Sequence, residues 1–254
     1  MLEVRDITKT YNAGTVTETR LFEHFSLSVE EGQFVSIVGS NGSGKTSLLN
    51  IICGSIPVDG GDVLVAGESI SRLKDYQRYA TMGRVYQNPA LGTCPNLTML
   101  ENLSLADNKG KSFGLGRGVN KKRIDFYRSE LAGPGLGLED KLHIKMGSLS
   151  GGQRQAVALL MATMTPLKFL ILDEHTAALD PKTADIIMEL TDRVVREKQL
   201  TAMMVTHNLR YAVEYGDRIL MMSQGHVVMD KAGEEKRNTS MDDILALFNQ
   251  ISLQ

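Results

Sequence analysis

The chain has 254 residues, 42% of them hydrophobic, and a formal net charge of −2, which suits one large domain, or a domain with a sub-domain, around a sizeable core. The charge excludes a global basic field for nucleic acid or acidic lipid, and Cys53 and Cys94 match no zinc spacing and read as reduced thiols. With no signal pattern in M-L-E-V-R-D and no window near the roughly 18 apolar residues of a membrane span, the chain is expected in the cytosol, with any membrane role reached through a partner.

Leu2, Val4 and Ile7 predict a half-buried first strand. Residues 25–29 alternate in polarity and turn at Glu31-Gly32. Residues 34–38 are apolar on both faces, as a strand of a covered parallel sheet must be; residues 169–172 and 202–205 repeat that character. Val63, Leu64 and Val65, set between glycines, predict another strand. Thr98-Met99-Leu100-Glu101 fits a capping box and starts a helix. Residues 107–123, rich in Gly, Lys and Arg, read as a loop, and Gly133-Pro134-Gly135 as a second break. Asp180-Pro181 opens a helix whose stripe is Ile186, Ile187, Leu190 and Val194. Residues 218–223 and 226–229 form a hairpin about Gln224-Gly225. There is no fixed-period repeat and no low-complexity tract. The pattern predicts an α/β core, residues 1–88 and 166–254, interrupted by a mostly helical insertion at 89–165.

Between the strand at 34–38 and the helix that follows stand Gly39, Ser40, Asn41, Gly42, Ser43, Gly44, Lys45 and Thr46. Glycines let successive backbone N–H groups converge on one point, and the helix start adds its positive dipole. Lys45 can reach β/γ oxygens, and the Thr46 hydroxyl suits Mg²⁺. This is the phosphate-loop pattern in its strand–loop–helix context. The strand at 169–172 ends in Asp173 and Glu174. Asp173 is placed to hold Mg²⁺ opposite the phosphate loop, and Glu174 to orient and deprotonate a water. Leu149-Ser150-Gly151-Gly152-Gln153 begins a third helix, capped by Ser150 and closed by Pro166, with glycines that permit close approach of an anion.

Together these motifs resemble the ATP-binding cassette ATPases over nearly the whole chain. The resemblance implies a phosphate-loop NTPase (RecA-like) fold, a parallel sheet core with an antiparallel β subdomain and a helical insertion. It identifies Gly39 to Thr46, with Ser47, as the Walker A loop, and Asp173 with Glu174 as the end of Walker B. Ser150, Gly151, Gly152 and Gln153 resemble the signature sequence. Gln87, in Val85-Tyr86-Gln87-Asn88-Pro89, is similar to the Q-loop glutamine that reaches Mg²⁺ and water. Asp180 is similar to the D-loop aspartate, His207 to the switch histidine at the γ-phosphate, and Tyr11 to the aromatic that stacks on adenine. One departure is His175, where the family usually has proline. Proline would fix φ and remove an N–H; His175 restores a donor and could titrate near neutral pH beside Glu174, or be a tolerated loop variant.

The resemblance implies an ATPase that binds ATP and Mg²⁺ and pairs head to tail with a second copy of itself. It further implies an integral membrane permease as partner, reached from the inner face of the membrane. A permease helix would dock near Gln87, where Pro89, Leu91, Pro95, Leu97 and Met99 either receive it or pack the insertion. The basic loop at 109–123 is either solvated or faces permease or lipid. Soluble relatives that act on DNA or ribosomes carry coiled coils, zinc modules or tandem cassettes, none of which this sequence shows, so no nucleic-acid partner is expected. The stretch from Asp173 to Pro181 resembles ATPases paired with a permease and a solute-binding lipoprotein, systems associated with amino-acid-like solutes. An exporter, a lipoprotein-releasing complex and a non-transport switch on a membrane complex stay open as alternatives.

Overall fold

The computed structural model describes residues 1–111, 118–133 and 135–252, without the side chain of Ser252. Expectations that touch Pro134 and residues 112–117 lie outside the described residues. In chain order the strands are β1 (Leu2–Tyr11), β2 (Thr19–Val29), β3 (Phe34–Gly39), β4 (Gly60–Val65), β5 (Glu68–Ser69), β6 (Met82–Val85), β7 (Phe169–Asp173), β8 (Ala202–Val205), β9 (Arg218–Ser223) and β10 (His226–Ala232). The helices are α1 (Lys45–Cys53), α2 (Asp75–Arg78), α3 (Met99–Asp107), α4 (Ile124–Ala132), α5 (Gly151–Ala162), α6 (Pro181–Glu197), α7 (Leu209–Glu214), α8 (Gly233–Arg237) and α9 (Met241–Ser252).

Among the described residues the strands form two sheets. One is antiparallel, in the order β2-β1-β4-β5; the other runs β10-β9-β3-β8-β7-β6. The second is parallel from β9 to β6, with β10 antiparallel at its edge. Its doubly apolar strands follow from cover on both faces, since successive side chains alternate across a sheet. Val35, Ile37, Phe169, Ile171 and Met203 pack toward α1 and the antiparallel sheet, against Leu48, Ile52, Leu2 and Val4. Phe34, Leu170, Leu172, Ala202 and Met204 pack toward α5 and α6, against Leu160 and Ile187. Each Val, Leu, Ile, Phe or Met among them contributes about 1.5–3 kcal/mol when fully buried.

The insertion is helical, and its entry has the expected chemistry. The Glu101 amide donates to Thr98 Oγ1 at 3.3 Å, and Glu101 accepts from the Thr98 amide at 2.7 Å. Met99, Leu103, Tyr127 and Leu131 make its interior, which runs through Val157 and Leu160 of α5 into the sheet face. α5 ends at Ala162 and β7 begins at Phe169, and one apolar cluster crosses the residues between them.

Adjacent parallel strands bring their C-terminal ends side by side. Ile37 and Asp173 both pair with Val205, and Val85 pairs with Leu172. The loops leaving β3, β8, β7 and β6 consequently meet at one edge, where open α/β sheets take their ligands.

Candidate functional site

The chain leaves β3 at Gly39, where a Cβ would lie 2.3 Å from the Met222 carbonyl oxygen. Only glycine allows the loop to pass so close to β9. Gly44, at φ 102, caps the start of α1, and no side chain makes a capping hydrogen bond there. The first-turn N–H groups and the helix dipole are thus left for an anion. The Lys45 ammonium folds back into the loop and donates to the carbonyl oxygens of Gly39 at 2.8 Å and Ser40 at 2.9 Å. Burial lowers the pKa of Lys45, against an opposing pull from Glu174. Asn41, Gly42, Ser43, Gly44, Lys45, Thr46 and Ser47 line a cleft of about 140 Å³, closed opposite by Glu174 and His207.

Glu174 follows the end of β7 and is held by its amide, which donates to the Val205 carbonyl at 2.9 Å. Its φ of 48 is left-handed, a conformation that costs a non-glycine residue about 1–3 kcal/mol and tends to mark working positions. His207, two residues past β8, brings Nε2 to 2.8 Å from Glu174 Oε1. Tyr11 reaches the same place from β1, its hydroxyl donating to Ser47 Oγ at 3.2 Å.

Asp173, at the tip of β7, is not solvated as a loose strand end would be. Arg84 of β6 donates through Nη2 to Asp173 Oδ2 at 2.6 Å and through Nη1 to Asn50 Oδ1 of α1 at 3.0 Å. The guanidinium also lies 4.7 Å from the centre of the Tyr86 ring. Burial disfavours its charge, but the Asp173 hydrogen bond and neighbouring negative groups prevail and hold its pKa above the ordinary value. Among the described residues no hydrogen-bond donor reaches the second Asp173 oxygen. Thr46, Asp173 and Gln87 offer oxygen donors of the kind a hard divalent cation takes.

Other expected residues lie outside the cleft of this one chain. Gln87 sits exposed two residues beyond β6. Ser150 caps α5 and accepts from the Gln153 amide at 3.2 Å, with Ser150 and Gly151 exposed. Asp180 caps α6, accepting from the Thr183 amide at 3.1 Å. The two signature glycines differ. Beside Gly151 a Cβ would meet Leu179 at an ordinary 3.5 Å, whereas at Gly152 it would meet Thr183 Cγ2 at 2.1 Å. Gly152 is thus also required where α5 crosses α6.

Two open alternatives narrow. His175 does not titrate near neutral pH: it is fully buried, and desolvation lowers its pKa to about 4. Its Nε2 lies 3.0 Å from Thr191 Oγ1, and Thr191 donates its own proton to the Ile187 carbonyl. Nε2 must therefore carry the hydrogen, and the ring is a neutral packing group between β7 and α6. Met99 is fully buried in the insertion and is not a docking residue, while Leu91, 70% exposed, is free to be one. Arg84 escaped the sequence reading, because no strand was expected over Met82–Val85. The available signal was its neighbour Tyr86 and the apolar partners Met82 and Val85.

A family model described as ABC transporter matches residues 22–177. The chain is 46% identical over 248 residues to the tyrosine transport ATP-binding protein of Clostridioides difficile (strain R20291), with 98% of each covered. It is 37% identical over 223 residues to the lipoprotein-releasing system ATP-binding protein LolD of Koribacter versatilis (strain Ellin345), with 86% of this chain and 95% of that one covered. The dimeric post-hydrolysis state of the ATP-binding cassette MJ0796, bound to ADP and Pi, superposes with a TM-score of 0.77 at 31% identity, over 91% of this chain and 98% of the other.

Proposed function

The chain belongs to the ABC transporter family and is an ATP-hydrolysing cassette of that family, and we propose that it acts as one half of a head-to-tail pair driving a separate membrane permease. The observation that carries this is the separation of its parts. Lys45, Glu174 and His207 share one cleft, while Ser150 and Gly151 open α5 at an exposed surface away from it. One chain covers one side of a triphosphate and offers a second helix start to another chain. The solved cassette MJ0796 is dimeric.

On this reading the phosphates lie along the loop from Gly39 to Ser47, and the adenine faces Tyr11. Lys45 exchanges the Gly39 and Ser40 carbonyls for β/γ oxygens, which are stronger acceptors. Thr46, Asp173 and Gln87 would hold magnesium, which would supply positive charge to the phosphates. Glu174 orients the attacking water and takes its proton, and His207 turns from Glu174 to the γ-phosphate. Ser150, Gly151, Gly152 and Gln153 of the second copy cover the γ-phosphate, with Asp180 at the seam. Closure excludes water and sets helix dipoles on both sides of the charge. Loss of the γ-phosphate then lets the pair open.

Among the described residues no helix is long and apolar enough to cross a membrane, so a permease must supply the path. A groove between β6, α3 and α5, lined by Tyr86, Leu105, Lys109 and Met161, with Leu91 exposed nearby, suits a permease helix at the inner membrane face. The tyrosine transport relative supports transport of an amino-acid-like solute; uptake, with a solute-binding lipoprotein as the delivering partner, is our reading of that system. The LolD relative supports a second reading, lipoprotein release; the direction of solute movement in vesicles with the co-purified permease separates the two.

The test of the pairing uses Glu174→Gln. It removes the base and leaves the phosphate loop, so the variant binds ATP, hydrolyses it about 100-fold more slowly or worse, and elutes from gel filtration as a dimer when ATP is present. A monomer carrying bound ATP would refute the pairing. Lys45→Ala, which loses nucleotide affinity itself, is the control.

A further inference from the structure

The environment of Arg84 is costly for stability alone. Its side chain is 7% exposed and that of Asp173 14%. A buried ion pair is often no better than well-packed apolar residues of similar size, so its presence here calls for an explanation. The position of the pair supplies one. Arg84 spans from Asn50, on the helix that follows the phosphate loop, to Asp173, the carboxylate at the neighbouring strand end. It thereby joins the two elements that must share a divalent cation, and it already places a positive charge on the carboxylate.

We propose that Arg84 is a positioning residue and an internal counter-cation of Asp173: it fixes the carboxylate toward α1 through one oxygen and raises the magnesium concentration at which the nucleotide site fills. This rests on the nucleotide reading above. With the guanidinium in place, Asp173 is aimed but partly neutralised, so the cation binds a weakened acceptor beside a like charge. Without it, Asp173 is a nearly buried anion lacking a partner, and a divalent cation becomes its only strong counter-charge.

The experiment is a magnesium titration of fluorescent ADP binding, with thermal melts in ADP plus magnesium and in ADP plus EDTA. Arg84→Met keeps length and apolar bulk. It should lower the half-saturating magnesium concentration about tenfold, as expected for loss of one charge-assisted hydrogen bond. It should also melt earlier than wild type in EDTA and regain more on adding magnesium. Arg84→Lys keeps the cation, and its half-saturation should stay within about twofold of wild type. If the methionine variant does not fold, the lysine variant decides: a tenfold drop there overturns the counter-charge. An unchanged magnesium requirement and unchanged magnesium-dependent melting gain in Arg84→Met overturn the proposal as well. If wild type shows no magnesium-dependent affinity for ADP, it is the nucleotide reading that fails.

Discussion

The imidazole of His175 is sealed beneath α6 with its Nε2 hydrogen on Thr191. Its folded pKa is about 4 against an ordinary 6.5. Between those values the unfolded chain binds a proton that the folded chain refuses, so stability rises with pH across the window and is lost as pH falls through it. The loss reaches about 3 kcal/mol by pH 4. Urea unfolding from pH 7 to 4.5 should show a smaller decline for His175→Gln than for wild type; parallel declines would exclude the effect. The residue type at 175 was readable as a departure from proline, but its neutrality was not, because burial depends on Thr191 and α6, far along the chain. The same holds for Arg84. Its partners Asn50 and Asp173 come from two other elements, and no local pattern announces them. By contrast, Gly44 and Lys45 act through their own backbone neighbours, so the strand–loop–helix arrangement was legible, whereas the tightness at Gly39 is set by Met222 of β9 and was not.

At the scale of elements, the strands that read well are those whose cover is complete. Phe34, Ile37, Leu170 and Val205 are all inaccessible, and an apolar run on both faces has few other solutions. Caps read equally well at Thr98, Ser150 and Asp180, since a cap is a three-residue interaction. Crossings between helices do not read from sequence. Gly152 looks like a residue chosen for an anion, yet its missing Cβ also admits Thr183. Gly152→Ala should therefore destabilise the fold by about 1–3 kcal/mol through overpacking. Adding Thr183→Ala, which removes the clashing methyl, should restore most of that loss in a double-mutant cycle measured by denaturant melts. A full penalty that survives in the double variant would point to helix backbone effects at Gly152.

At the scale of the whole molecule, the proposed pairing gives the phosphate loop and the start of α5 unlike jobs, and the two should separate genetically. Gly151 has room for a side chain, so Gly151→Asp should fold. In the isolated chain its ATP affinity should stay within about twofold of the parent. In the Glu174→Gln background, however, the added carboxylate should abolish the ATP-induced dimer, by placing a like charge where the γ-phosphate must come. Equal dimerisation with and without the aspartate, by light scattering, would remove α5 from the interface.

The apolar cluster that runs from Met99 and Tyr127 through α5 to Leu170 and Ile187 has a mechanical meaning. The helical insertion is also the roof over one face of the parallel sheet. Heat cannot melt one and spare the other, and a push on the roof is felt directly by the strand that ends in the paired acids.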